Sequence, residues 1–359
     1  MNSAVSMPPK RPGERWQLPP TLLPDGEATD LWIADGRLSA APVDGAEILP
    51  GRFALPGMVD AHAHVSVDGS RPAEGYRPLD VADATANLAA LGRQGVLLVR
   101  DLGAPRSVTL DIRPLRGMPR VQAAGRVFAP SGRFFPALHE PVTPESLVEA
   151  ALVEVARGAR WVKVIADFRA PELSYEPAVL RALVEAVHGA GARVAAHVQW
   201  AGVPEVVAAG VDSIEHGCSL DLVTIDVMIA AGMAWTPTLT AFSQPLPDEV
   251  PPGRREVFQG ILDNFRALLA PAAARGVTIL AGTDTAGTVV DEIRHLVAFG
   301  LTPTQALRAA TTHARAFLGV PSLEAGGPAD VVTFEDDPRD DPDVLARPAA
   351  IVLGGVRIA

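Results

Sequence analysis

Between residues 55 and 318, short apolar runs alternate with longer segments whose apolar residues recur every three or four positions. Few folds accept that rhythm. A short, fully apolar run reads as a strand buried on both faces, and strand-then-helix order joins parallel strands through crossover helices. The runs fall at 53–60, 96–101, 120–128, 161–165, 193–197, 213–216, 233–238 and 278–284, with helices predicted between them, for example over 144–157, 176–190 and 254–274. Eight such units predict an α/β fold closed as a (β/α)8 TIM barrel over residues 55–324. The flanks have a different texture. Residues 31–38 carry an Asp35-Gly36 turn signal, and 331–334 and 351–358 are short β-rich runs among Pro, Gly and Asp. Both chain termini, 1–54 and 325–359, are assigned to one small β-sandwich domain beside the barrel. Two Pro/Gly-rich stretches, 129–144 and 243–253, are too long for tight turns and are candidates for a substrate lid.

Charge and composition remove whole classes of partner. The net charge of -11 argues against nucleic acid or an anionic membrane, because both call for clustered positive charge. No run of about 18 uncharged apolar residues occurs and the opening residues have no apolar signal core, so a cytoplasmic protein is expected. The single cysteine, Cys218, has no partner for an internal disulfide and reads as a small buried side chain.

Asp60-Ala-His62-Ala-His64 ends the first predicted strand. Two histidines at i and i+2 point to the same side of a strand and can grip one cation; a hydrogen-bonded core pair is the competing reading. Position bears on the choice. His197, His216 and Asp284 end the fifth, sixth and eighth strands, and a barrel gathers its strand carboxyl ends on the face where active sites lie. Lys163 is on the fourth strand, in the apolar run Trp161-Val-Lys-Val. Of 31 basic residues only Lys10 and Lys163 are lysine. An ammonium among metals and histidines is repelled and poorly solvated, whereas a neutral amine can add carbon dioxide to become a carbamate whose two oxygens bridge two ions. Arginine stays protonated and cannot do this. Pairing with a barrel carboxylate is the alternative for Lys163.

Taken together, Leu55-Pro-Gly-Met-Val-Asp-Ala-His-Ala-His64, Trp161-Val-Lys-Val, Ala196-His197, Ser213-Ile-Glu-His-Gly217, Ala281-Gly-Thr-Asp284 and Gly326-Gly-Pro-Ala-Asp-Val-Val332 resemble the metal-dependent amidohydrolase superfamily. The order and spacing are most similar to the branch holding imidazolonepropionase-like and Xaa-Pro dipeptidase-like (prolidase-like) proteins. The resemblance implies two divalent ions, usually zinc, with His62, His64 and Asp284 on the more buried one, His197 and His216 on the more exposed one, and carboxylated Lys163 bridging both. It also implies that Asp284 moves the proton from attacking hydroxide to departing amine, and that His139 donates to the developing oxyanion.

Other polar residues have plainer expected roles. Asp60 and Glu215 should face away from the ions and orient their neighbours, and Asp101 should do the same or cap a helix. Arg133 and Arg169 lie in loops on the presumed active face; either could clamp a substrate carboxylate, though with 29 arginines chance placement competes. His188, His295 and His313 fall in predicted helices and should be structural. Many dipeptidase-like relatives have a tyrosine two residues after the fifth-strand histidine, where this chain has Gln199. That departure puts Xaa-Pro cleavage in doubt and makes Gln199 a substrate-binding candidate. Phe134, Phe135 and Trp200 could wall a bulky or cyclic group.

The expected activity is hydrolysis of an amide or peptide-type C–N bond in a dipeptide, N-acyl amino acid or cyclic amide. The alternative is a mononuclear imidazolonepropionase- or deaminase-type hydrolase, although a deaminase would carry a glutamate near Gln199. A noncatalytic scaffold on the same fold ranks last, because all six ligand positions are filled. A small-molecule substrate and a homo-oligomer complete the expectation.

Overall fold

The structure is a computed structural model that describes residues 15–69, 75–113, 115–168, 172–200, 202–246 and 252–359. Lys10, Arg169 and part of the 243–253 stretch lie outside the described residues.

A ring of parallel strands forms the centre of a TIM-barrel-type fold. The first strand (Met58–Ala63) pairs with the second (Val96–Asp101), and the second with Arg120–Ala123. Val127–Ala129 then pairs with the fourth strand (Trp161–Ile165), and pairing continues through Arg193–Val198, Ser213–His216, Ala234–Thr236 and Thr278–Ile279. A bridge between Ala63 and Asp284 returns the ring to the first strand, with Asp284 N–H donating to His62 O at 2.7 Å. Every residue of the first, second and fourth strands is buried, because helices cover the outside while side chains fill the inside. Trp161, at the amino end of the fourth strand, is buried, with the Phe317 ring tilted against it at 5.8 Å.

Two predicted strands are broken. The run 53–60 divides at Gly57, so that Phe53–Pro56 pairs with Val331–Phe334 in another sheet and only Met58–Ala63 enters the barrel. Pro56 has no N–H for the ladder, and a Cβ on Gly57 would lie 2.4 Å from Leu97 Cδ1, so only glycine allows this approach. The run 120–128 divides at Gly125, whose φ of 76° is a left-handed conformation. The predicted helices occur as Leu147–Ala156, Pro177–Gly189 and Pro252–Arg275.

The terminal segments form two further sheets. One holds Trp16–Gln17, Trp32–Ala34, Arg37–Ser39 and Glu47–Ile48; the other holds Thr21–Leu22, Glu27–Ala28, Phe53–Pro56 and three strands from after residue 330. Leu18, Ile33 and Leu38 share one buried cluster with Ala54, Val331 and Val352. Buried Asp330 ties this part to the barrel, accepting from Arg120 Nε at 3.0 Å and lying 3.7 Å from Arg315. Among the described residues no helix is long and apolar enough to cross a membrane.

Candidate metal centre

His62, His64, Lys163, His197, His216 and Asp284 all line one cavity of about 600 Å³ at the carboxyl ends of the strands. Lys163 Nζ is 3.5 Å from His62 Nε2, and His64 Nε2 is 3.6 Å from Asp284 Oδ1. The His197 and His216 ring centroids are 4.5 Å apart. One ligand atom from each of His62, His216 and Asp284 falls within 4.8 Å of the others.

The far side of each ring explains its orientation. His62 Nδ1 meets Glu215 Oε2 at 2.7 Å and His64 Nδ1 meets Gly103 O at 2.6 Å, so in both the N–H belongs on Nδ1 and the Nε2 lone pair faces the cavity. His216 Nδ1 lies 2.7 Å from Thr238 Oγ1, whose own proton goes to Pro237 O, so the hydroxyl accepts here too. His197 Nε2 is buried and has no hydrogen-bond partner. A buried imidazole nitrogen left unpaired is costly in an apolar setting and is what a metal ligand looks like before its ion is counted. The nitrogen and oxygen donors suit a zinc-like ion.

Burial sets the protonation. It holds His62, His197 and His216 well below the usual imidazole range, reinforced in His62 and His197 by the Lys163 charge and in His216 by His197. It also lowers the Lys163 amine to about 8 against the pull of Glu215 and Asp284. Burial raises the Asp284 carboxyl, opposed by His64 and Lys163.

Behind the ligands lies a network that the sequence reading only partly anticipated. Glu215 is fully buried and accepts from Arg100 Nη2 at 2.9 Å and Ser213 Oγ at 2.5 Å as well as His62. Arg100 lies 4.6 Å over the Trp161 ring and donates to Ala61 O and Thr236 Oγ1. Asp60 accepts from His62 N–H and from both the N–H and hydroxyl of Thr283, coupling the first strand to the loop of the eighth. Asp101 caps no helix; it accepts from Val65 and Gly103 N–H, shaping the turn whose carbonyl holds His64. Substituting Glu215 by glutamine should cost about 3–5 kcal/mol, because it leaves the buried Arg100 charge without its hydrogen-bonded counter-charge. Denaturant melts of the two proteins check this, and a loss below about 1 kcal/mol would contradict it.

Strain gathers at the same place. His216, Thr238 and Asp284 have φ of 67°, 51° and 58°, left-handed values that non-glycine residues keep only where the surroundings enforce them. A Cβ on Gly282 would sit 2.5 Å from His62 Cβ, so the glycine of Ala281-Gly-Thr-Asp284 allows the eighth strand to press on the first. Two buried carboxylates missed in the sequence fix neighbouring turns. Asp167 accepts from Gln199 and Trp200 N–H at 2.8 and 2.9 Å, and Glu292 accepts from Leu239 and Thr240 N–H at 2.9 and 2.7 Å just after Thr238. Burial lifts them to about 6 and about 7 respectively.

Gln199 and Trp200 line the cavity, as do Phe134 and Phe135. His139 and Arg133, expected to touch substrate, are not among the lining residues. The loop turns Phe134, Phe135 and Leu138 inward, while the His139 ring packs behind Phe134 with Nδ1 3.0 Å from Phe135 O. Arg133 donates to Glu172 O. Cys218 is buried, and His188 pairs with Asp212 at 2.8 Å on the surface.

Comparison with known proteins bears on the fold and the family. The chain is 35% identical over 350 residues to the uncharacterized protein Rv2915c of Mycobacterium tuberculosis, spanning 93% of each. It is 29% identical over 226 residues to an ochratoxinase of Aspergillus niger, covering 58% of this chain and 47% of that one. The A. niger ochratoxinase crystal structure has the same fold, with a TM-score of 0.81 at 23% identity over 97% of this chain and 96% of the other. So does a Xaa-Pro dipeptidase crystallised with methionine in its active site, with a TM-score of 0.80 at 24% identity over 96% and 99%. Residues 53–357, spanning the barrel and the strands after it, match the amidohydrolase family, and the chain belongs to that family.

Proposed function

We propose that this protein hydrolyses an amide or peptide-type C–N bond with the help of two divalent ions, zinc being the ion its donors suit best. His62, His64 and Asp284 would hold one ion, His197 and His216 the other, and Lys163, carboxylated by addition of carbon dioxide to its neutral amine with loss of a proton, would bridge them. When bound, such ions acidify water and polarise a carbonyl. The remaining work belongs to the chain. Asp284 takes a proton at its carboxylate and passes it to the departing amine, a role compatible with its 23% side-chain exposure toward the cavity. Glu215, Gly103 O and Thr238 keep three imidazoles in the tautomer whose Nε2 faces inward. Gln199 lies in the cavity wall, at the position where many dipeptidase-like relatives have a tyrosine, and it would contact substrate.

The observation that carries this reading is the unpaired, buried Nε2 of His197 beside the other donors. The spacing of His62, His216 and Asp284 around a single point favours a mononuclear variant, and metal stoichiometry per chain separates the two. Stripping the ions with chelator should abolish hydrolysis of a panel of dipeptides, N-acyl amino acids and cyclic amides. It should also lower stability by about 4 kcal/mol for each ion removed if that ion was present near 1,000 times its Kd. A chelated protein that keeps its melting temperature and activity would overturn the proposal. We also read residues 1–54 and 325–359 as a small sandwich domain beside the 55–324 barrel, supported by their shared apolar cluster.

A further inference from the structure

We propose that the substrate is an N-acyl amino acid bearing an aromatic group on each side of the scissile amide, with its carboxylate held by Arg254; this rests on the amide-hydrolase reading of the same cavity. Two separate aromatic banks rise from the paired histidines. The first starts at His197. Phe134 is 5.4 Å from its ring, Phe168 is 5.2 Å from Phe134, and Phe135 packs on Phe168 at 4.9 Å, all in edge-on contact. The second starts at His216, with Phe242 at 5.7 Å and Phe258 a further 6.3 Å away. The banks come from different parts of the chain: the loop after Val127–Ala129 and the end of the fourth strand build one, while Leu239–Phe242 and the helix Pro252–Arg275 build the other.

A carbonyl seated above His197 and His216 therefore has an apolar wall on either hand. Phe134 and Phe242 are themselves part of the buried core, but core packing does not account for the residues beyond them. Phe135, Phe168 and Phe258 all keep partial exposure, and Val257, beside Phe258 in the cavity wall, is 42% exposed. Apolar surface left facing a cavity of about 600 Å³ marks a place for an apolar ligand.

Arg254 gives the cavity a polarity. It lines the second bank, is exposed, lies 5.9 Å over the Phe258 ring and pairs with no carboxylate among the described residues. A guanidinium so placed recognises a carboxylate. In an N-acyl amino acid the carboxylate is on the amine half, so the amino-acid side chain belongs to the Phe242–Phe258 bank and the acyl ring to the Phe134–Phe168 bank. Hydrolysis adds water across the C–N bond: the carbonyl carbon gains the oxygen, the nitrogen gains the proton, and an aromatic carboxylic acid and an aromatic amino acid leave.

Binding and hydrolysis are read separately on the metal-loaded protein. Calorimetry with uncleavable sulfonamides compares N-(phenylsulfonyl)phenylalanine with N-(methylsulfonyl)phenylalanine, N-(phenylsulfonyl)glycine and the carboxamide of the first. Each missing ring should weaken binding at least about tenfold. Phe242→Ala should erase only the side-chain ring's advantage, Phe168→Ala only the acyl ring's, and Arg254→Ala only the preference for carboxylate over carboxamide. Hydrolysis is then followed on N-benzoyl-phenylalanine, N-acetyl-phenylalanine, N-benzoylglycine and glycyl-proline, with kcat/KM expected to fall in the same order. Affinities within threefold across the sulfonamides, or an unchanged carboxylate preference in Arg254→Ala, would overturn the assignment. Equal cleavage of glycyl-proline and N-benzoyl-phenylalanine would overturn it too while sparing the amide-hydrolase reading. Selective two-ring binding with no amide cleaved would uphold the two banks and sink that reading instead.

Discussion

Replacing Lys163 with arginine is expected to remove most bound metal and at least about 10³-fold of the activity, since on the proposed reading two ions and their bridge would supply several kcal/mol of transition-state stabilisation and each 1.4 kcal/mol is a factor of ten. Lys163 is 1% exposed and lies in register between Val127 and Ala195, with its Nζ beside His62. Arginine would bring a permanent positive charge into this cluster and cannot become a carbamate. Lysine can, because burial leaves its amine near 8, so the neutral form that adds carbon dioxide grows as pH rises through about 8. At a fixed concentration of dissolved carbon dioxide, reactivation of a decarboxylated protein in the presence of metal should accordingly speed up from pH 7 to pH 9. Metal analysis, melting temperature and hydrolysis of the variant together make the check. In Lys163→Ala, an added short-chain carboxylate should restore part of the activity by standing in for the carbamate. Arginine at this position with full metal content and full activity would end the bridging role.

Asp284→Asn is expected to lower kcat by about 10²–10⁴-fold with little loss of fold, the range a positioned proton carrier contributes. Asparagine has nearly the same shape and tolerates the left-handed φ of 58° that Asp284 adopts, so the backbone bond to His62 O and the bridge to Ala63 should survive. What it lacks is a carboxylate able to take a proton. Metal content measured beside kcat separates a lost ligand from a lost proton carrier. If the asparagine variant kept kcat within about tenfold at full metal occupancy, the proton would have to travel by another group.

The two positions differ in how well the sequence announces them. Lys163 is conspicuous because a charge in a buried strand needs a reason and arginine was available elsewhere in the chain. Arg100 gives the same signal inside Val96–Asp101 and was passed over; its reason, the buried carboxylate of Glu215, is 115 residues away. Asp167, Glu292 and Thr238 carry no signal at all. A carboxylate that accepts backbone N–H groups from a distant turn looks, in one dimension, like any surface acid. Phe53–Asp60 read as one strand because apolar alternation does not record which sheet a strand joins. Pro56 and Gly57 were the available clue to the division, through a missing donor and a missing Cβ.

The spacing of apolar runs by itself determined that this chain would build a parallel barrel and bring His62, His64, Lys163, His197, His216 and Asp284 to one end of it, since strand direction and side-chain alternation are local properties. Only the tertiary structure decided which nitrogen each imidazole presents, which carboxylates are fully buried, and that Phe134, Phe168, Phe242 and Phe258, rather than His139 and Arg133, line the cavity. Those outcomes depend on contacts between residues far apart in the chain, and on the loss of water around them, neither of which any local pattern contains.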